Sequence, residues 1–299
     1  MAEAAAQVTS RTDWRALAVL LAGAAIIGLS PILVRLTEAG PAAAGFWRLV
    51  FALPLLGMLT VRNAGSLGRP STMALLAGVF FALDLGFWHY GVHFTSVTNA
   101  TVLTNLTPVV VTAFAWIFLK QRPKALFLAA VACAVGGAWL MAIEKGGGRL
   151  VNQPLGDVLS LLTALWYSLY FLAMAQGRKI ETTSALMYWV SVVGAPLMLI
   201  AALLLREPIL PTSAVGWGAL VGLGLMHVTG QGSIAWAMGR LPTATASVVV
   251  LIQPIVAGWL GWLLFAEAIG PLQALGAAVT LGGVVLAQWA SRGKPSSGS

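Results

Sequence analysis

Asp84 is the only acidic residue that the sequence sets deep within an apolar run. A carboxylate there has to be paired, protonated or facing water, because hydrocarbon cannot solvate it. Two roles stay open. One is an ion pair or hydrogen bond that ties helices together, with Arg48 as partner. The other is a site for proton coupling or for a substrate ammonium group. Arg48 follows Phe46 and Trp47 inside its own apolar run. Its planar guanidinium suits two-point contact with a carboxylate, and the alternatives are pairing with Asp84 or snorkelling to the outer interface. His89 and His93 are four residues apart and can share a helix face with Asp84. No metal site is expected, since a fourth ligand is missing. His89 stands beside Asp84 as a candidate coupling residue.

A polar stripe adds to this set. Thr98, Thr101, Asn105, Pro108 and Thr112 fall within roughly 80° of arc at about 100° per helical residue. Such a stripe inside a span must face protein or water, so Thr101 and Asn105 are candidates for lining a cavity. Trp166 and Tyr170 form an aromatic pair at helical spacing, next to Thr163 and Tyr167; a face of this kind stacks on planar or cationic ligands. His227 and Gln231, four apart, are either substrate contacts or a hydrogen-bonded helix contact. Pro31, Pro108 and Pro254 each remove a backbone hydrogen bond and are candidate hinges. The substrate-binding candidates are therefore Arg48, Thr101, Asn105, Trp166, Tyr170, His227 and Gln231.

No phosphate loop of the G-x-x-x-x-G-K-[ST] form occurs, nor a G-x-S-x-G nucleophile turn, nor a zincin histidine pattern. Catalytic residues, a cofactor and a metal are accordingly not expected, and the chain does not read as an enzyme. The lone Cys133 lies in an apolar window and is expected to be buried packing.

The elements that position these residues are set by composition. Hydrophobic residues make up 59% of the 299 residues and charged ones 9%, against about 25% charge in soluble domains. Mean hydropathy is +0.89. Charge-free windows such as Ala16–Val34, Ala125–Ile143, Thr182–Leu205 and Leu241–Ala266 are long enough to cross a bilayer core of about 30 Å. This predicts an all-α integral membrane protein with ten transmembrane helices, near 14–36, 41–61, 71–94, 97–119, 123–143, 155–176, 182–205, 214–238, 241–265 and 269–290. Residues 1–13 and 292–299 read as disordered tails. The first span follows Arg11 and Arg15 and could pass for a signal peptide, but no clear polar cleavage region follows its core.

The net charge of +8 does not call for nucleic acid. With ten helices and a cytoplasmic N-terminus, twelve Lys and Arg residues fall in inner segments, including Arg62, Lys120, Arg178 and Arg240, and only Lys145, Arg149 and Arg206 in outer loops. That bias sets orientation, with both termini cytoplasmic.

The stretch Thr98–Pro108 has a second copy at Ala244–Pro254. The same shift of 146 matches Gly78 with Gly224, Gly86 with Gly232, Trp116 with Trp262, and the pair Gly136 and Gly137 with Gly282 and Gly283. A shift of 142 matches Trp47 with Trp189 and Pro54 with Pro196. Two five-helix repeats, 14–145 and 153–291, follow. Five is odd, so the second repeat must enter the membrane inverted around a central cavity, an arrangement that favours alternating access.

The 5+5 plan, the short basic loop Lys120–Lys124, the paired prolines Pro108 and Pro254 and the Gly-Gly pairs of the fifth and tenth helices resemble the drug/metabolite transporter superfamily in its EamA-type exporter branch. Within it the chain looks most like bacterial inner-membrane exporters of aromatic amino acids. The resemblance implies a basket of helices around a central cavity and export of small metabolites without ATP hydrolysis. The partners expected are a small amino-acid substrate and the lipid bilayer, with no nucleic acid, and the protein is expected to act as a monomer. A broad drug or metabolite exporter, or from another class a membrane-embedded enzyme or lipid scramblase, stands as the alternative.

Overall fold

The computed structural model describes residues 13–104, 106–107, 109–110, 125–143, 152–178, 180–237, 240, 250, 252–266 and 269–291. Every regular element among them is helical. In chain order they are α1 (Trp14–Gly28), α2 (Ser30–Leu36), α3 (Pro41–Ala64), α4 (Thr72–Phe94), α5 (Val97–Thr104), α6 (Ala125–Ile143), α7 (Gln153–Gly177), α8 (Thr183–Leu204), α9 (Ala214–Met226), a π-helical turn (His227–Gln231), α10 (Gly232–Ala237), α11 (Ile252–Phe265) and α12 (Pro271–Ser291). Five segments among the described residues are long and apolar enough to cross a bilayer: Trp14–Leu36, Pro41–Ala64, Thr72–Phe94, Gln153–Met174 and Thr183–Leu204.

The first span is not one helix. It breaks at Leu29, whose N–H bonds back to the Ile26 carbonyl at 3.1 Å, and Pro31 then opens α2 from within its first turn. Proline lacks the N–H that would have continued the ladder to Ile27. Five helix starts are capped by side chains, Asp13, Ser71, Asn152, Thr182 and Ser213 doing so for α1, α4, α7, α8 and α9.

Close backbone approach replaces bulk in the packing. A Cβ on Gly78 would lie 2.6 Å from Val193 Cβ, and one on Gly224 would lie 2.5 Å from Phe51 Cβ. These seat α4 on α8 and α9 on α3. A Cβ on Gly137 would meet Thr280 N at 2.6 Å and one on Gly283 would meet Ala134 N at 2.6 Å, which brings α6 and α12 together. Their sequence neighbours Gly136 and Gly282 meet nothing within 4 Å. Cys133 is exposed, not buried; the packed face of α6 runs through Ala130, Ala134 and Gly137, and Cys133 points away from it.

Polar contacts recur with the same spacing. Trp47 Nε1 donates to the Ile209 carbonyl at 2.9 Å, and Trp189 Nε1 to the Leu67 carbonyl at 3.1 Å. The donors are 142 residues apart and so are the acceptors. Glu38 accepts from the Ser213 N–H at 2.9 Å, and Glu181 from the Ser71 N–H at 2.9 Å. The beginning of α3 thus meets the chain beyond the end of α8, and the beginning of α8 meets the chain beyond the end of α3. The two helices run antiparallel.

Candidate functional site

A small cavity, part of it open to the exterior, lies where these helices converge. Ile27, Ser30 and Pro31 contribute from the α1–α2 break, Arg48 from α3, Phe81, Asp84, Leu85 and Trp88 from α4, and Thr104 from α5. Tyr167 of α7, Gln231 of the π-turn and Gln253 of α11 complete the wall. Both parts of the chain therefore build it.

Arg48 is only 3% exposed, so it does not snorkel. One guanidinium nitrogen donates to Ser30 Oγ at 3.0 Å, and the buried Nε has no hydrogen-bond partner among the described residues. Asp84, also buried, influences Arg48 electrostatically, but among the described residues the two form no direct ion pair. Of the two roles left open for Asp84, a direct ion pair with Arg48 is therefore not seen, and both side chains face one cavity. Arg48 reaches instead to the α1–α2 break, where the Ser30 hydroxyl accepts from it.

The aromatic and amide groups divide differently from the sequence reading. Tyr167 lines the cavity, whereas Tyr170 is buried behind it, 4.8 Å from the Phe81 ring and 5.9 Å from that of Tyr167. Trp166 lies off the cavity wall, 6.1 Å from Phe87, with its indole N–H buried and unpartnered among the described residues. A helical turn spans 100° per residue, so Trp166 and Tyr167 cannot face the same way. Gln231 lines the cavity beside Tyr167. His227 turns away to Ser191 Oγ at 3.3 Å and against Phe81 at 5.1 Å. The π-turn inserts a residue into the helix and re-aims the side chains, which explains why a spacing of four does not put both on the wall.

His89 is fully buried, and its Nδ1 donates to the Pro41 carbonyl at 2.8 Å. It is a clamp on the start of α3 and does not line the cavity with Asp84. His93 is exposed beside Phe94. The Thr101 side chain, Asn105, Pro108 and Thr112 lie outside the described residues; Pro254 lies in the first turn of α11. Ser30, Thr104 and Gln253 are wall residues that the sequence reading did not single out. Thr104 sits one residue off the predicted stripe, while the Gln253–Pro254 pair inside a charge-free run was a readable signal.

The EamA-like transporter family matches residues 14–143 and again residues 154–289. The chain belongs to that family. As an EamA-like protein it is a membrane transporter, and it is 26% identical over 228 residues to the pseudopaline exporter CntI of Pseudomonas aeruginosa, covering 71% of this chain and 74% of that one. An uncharacterised transporter of Archaeoglobus fulgidus is 23% identical over 272 residues, 90% of this chain and 95% of its own. The uncharacterised transporter YwfM of Bacillus subtilis is 25% identical over 268 residues, 85% and 86% of the two chains. A solved crystal structure superposes with a TM-score of 0.64 at 17% identity, covering 92% of this chain and 96% of its own; that likeness concerns the fold alone.

Proposed function

We propose that this EamA-like transporter exports aromatic amino acids, tryptophan, phenylalanine and tyrosine with threonine or methionine as lesser cargo, across the bacterial inner membrane by alternating access. The observation that carries this reading is the pairing of an Arg48 guanidinium and an Asp84 carboxylate, not bonded to each other, on a cavity walled by Phe81, Trp88 and Tyr167. A zwitterion offers a carboxylate to the first and an ammonium to the second, and an aromatic side chain fits the walls.

Ten helices in two inverted repeats, with both termini cytoplasmic, form the frame of this reading. The double family match, the 142-residue recurrence of the Trp47 and Trp189 bonds and the antiparallel run of α3 and α8 support it. The energy source is the substrate gradient or proton exchange, and one chain suffices as the working unit. A second reading, a broader metabolite exporter, is favoured by the relative named for pseudopaline.

Growth of bacteria in the presence of a toxic fluorinated tryptophan tests the substrate class. Cells expressing the protein should tolerate more of it than control cells, and Asp84→Asn and Arg48→Gln proteins present in the membrane at equal amount should confer no tolerance. Equal sensitivity of expressing and control cells would overturn the aromatic reading. Tolerance that extends equally to unrelated cationic toxins would favour the broader exporter.

A further inference from the structure

A second buried carboxylate stands apart from the cavity. Asp157, in the first turns of α7, reads from the sequence as the edge of a span, yet it is 7% exposed. Its Oδ1 accepts from Thr95 Oγ1 at 2.6 Å and from Asn99 Nδ2 at 3.4 Å, and Gln153 adds a further side-chain hydrogen bond. Asn99 is held in turn by Gln273 Nε2 of α12, at 2.5 Å on Asn99 Oδ1, and Gln273 also donates to Ser96 Oγ at 3.1 Å. The network thus joins α4, α5, α7 and α12. Oδ2 is buried and has no hydrogen-bond partner among the described residues.

The surroundings are closely packed. A Cβ on Gly156 would lie 2.6 Å from Thr95 N, so the backbones of α7 and of the chain beyond α4 are already in contact. Among the described residues the charged and titratable groups of the packed elements are few. Arg35 of α2 donates to the Val92 and Thr95 carbonyls. On α4, His93 is exposed, Tyr90 donates to Glu207, His89 bonds the Pro41 carbonyl and Asp84 lines the cavity, as does Tyr167 of α7 with Tyr170 behind it. The described parts of α5, α7 and α12 carry no other charged residue. A charged carboxylate with only neutral donors is costly in such a place. A metal ion is a poor answer, because among the described residues no group of three or more His, Cys, Asp or Glu side chains gathers to hold one.

We propose that Asp157 is a proton-binding site that governs closure of the α4–α7 end. With a proton on Oδ2 the group is neutral and the network stays sealed. Release of that proton to water leaves a carboxylate whose unpartnered oxygen must be hydrated, and hydration requires α7 to part from the chain that follows α4. Proton binding and closure are therefore linked, separately from whatever binds in the central cavity.

Thiol labelling of the full-length protein in liposomes tests this. A Ser160→Cys reporter, buried on α7 against Gly91 of α4 and placed in a Cys133→Ser background, is read with a membrane-impermeant thiosulfonate across a pH series, with and without Asp157→Asn. Dividing one labelling rate by the other removes the ionisation of the thiol itself. The ratio should rise with pH, by up to about tenfold per unit on the limb where a single group ionises, because Asp157→Asn stays closed. Thr95→Val, which removes a donor to the carboxylate, should shift the profile to higher pH while the protein remains monodisperse. A flat ratio, or a profile that Asp157→Asn retains, would overturn the proposal. So would labelling that responds to sodium at fixed pH, which would make the site one for a metal ion.

Discussion

At the scale of single residues, the bonds that cross between the two parts of the chain are made largely by groups that sequence patterning treats as ordinary loop polarity. Glu38, outside the spans, accepts from the Thr212 N–H at 2.7 Å and the Ser213 N–H at 2.9 Å. Hydrogen bonds from the Ser213 side chain and backbone, then from Thr212, hold its carboxyl below the ordinary value of 4.5. A group whose folded value is depressed stabilises the fold above its unfolded value and loses that contribution as pH falls through the folded one. Thermal stability in detergent should therefore fall as pH drops below 4.5, and Glu38→Gln should remove part of that slope. An identical slope in the variant would contradict the role. Arg48 and Asp84 were both legible as chemistry-bearing residues because charge inside an apolar run is rare. Their failure to pair was not legible, because it depends on where the α1–α2 break puts Ser30.

At the scale of elements, length and hydropathy indicated helices, while contact geometry decided their detail. The Gly-Gly pairs illustrate the limit. Gly137 and Gly283 lie against backbone across the α6–α12 contact, and Gly136 and Gly282 face open space. Nothing in the sequence says which member of each pair packs. Gly137→Ala should lower stability by about 1–3 kcal/mol through overpacking against backbone that cannot yield. Gly136→Ala should be neutral or stabilising by up to about 1 kcal/mol, since alanine favours helix. Thermal melts of the two purified variants check this, and equal destabilisation by both would contradict the packing described. The π-turn at His227–Gln231 was equally hidden. One inserted residue separates Gln231, on the cavity, from His227, behind it, where regular helical spacing grouped them.

At the scale of the whole molecule, the internal repeat was the most readable feature, because proline and tryptophan matched at fixed shifts through a composition rich in Gly, Ala and Leu. The contacts of Trp47 and Trp189 follow the same shift, so a pattern in letters corresponds to a pattern of bonds. Substrate identity was less legible, since aromatic residues serve walls, packing and interfaces alike. Tyr167 and Tyr170 show the ambiguity: both are aromatic, three residues apart on one helix, and only one lines the cavity.

The most direct measurement of the central claim is flux through the pure protein in liposomes, with tryptophan, phenylalanine, threonine and a cationic dye, each with and without a pH gradient. Saturable aromatic amino acid flux that Asp84→Asn and Arg48→Gln abolish is the predicted result, and its response to the gradient separates facilitated export from proton exchange. Dye flux without amino acid flux would contradict the account.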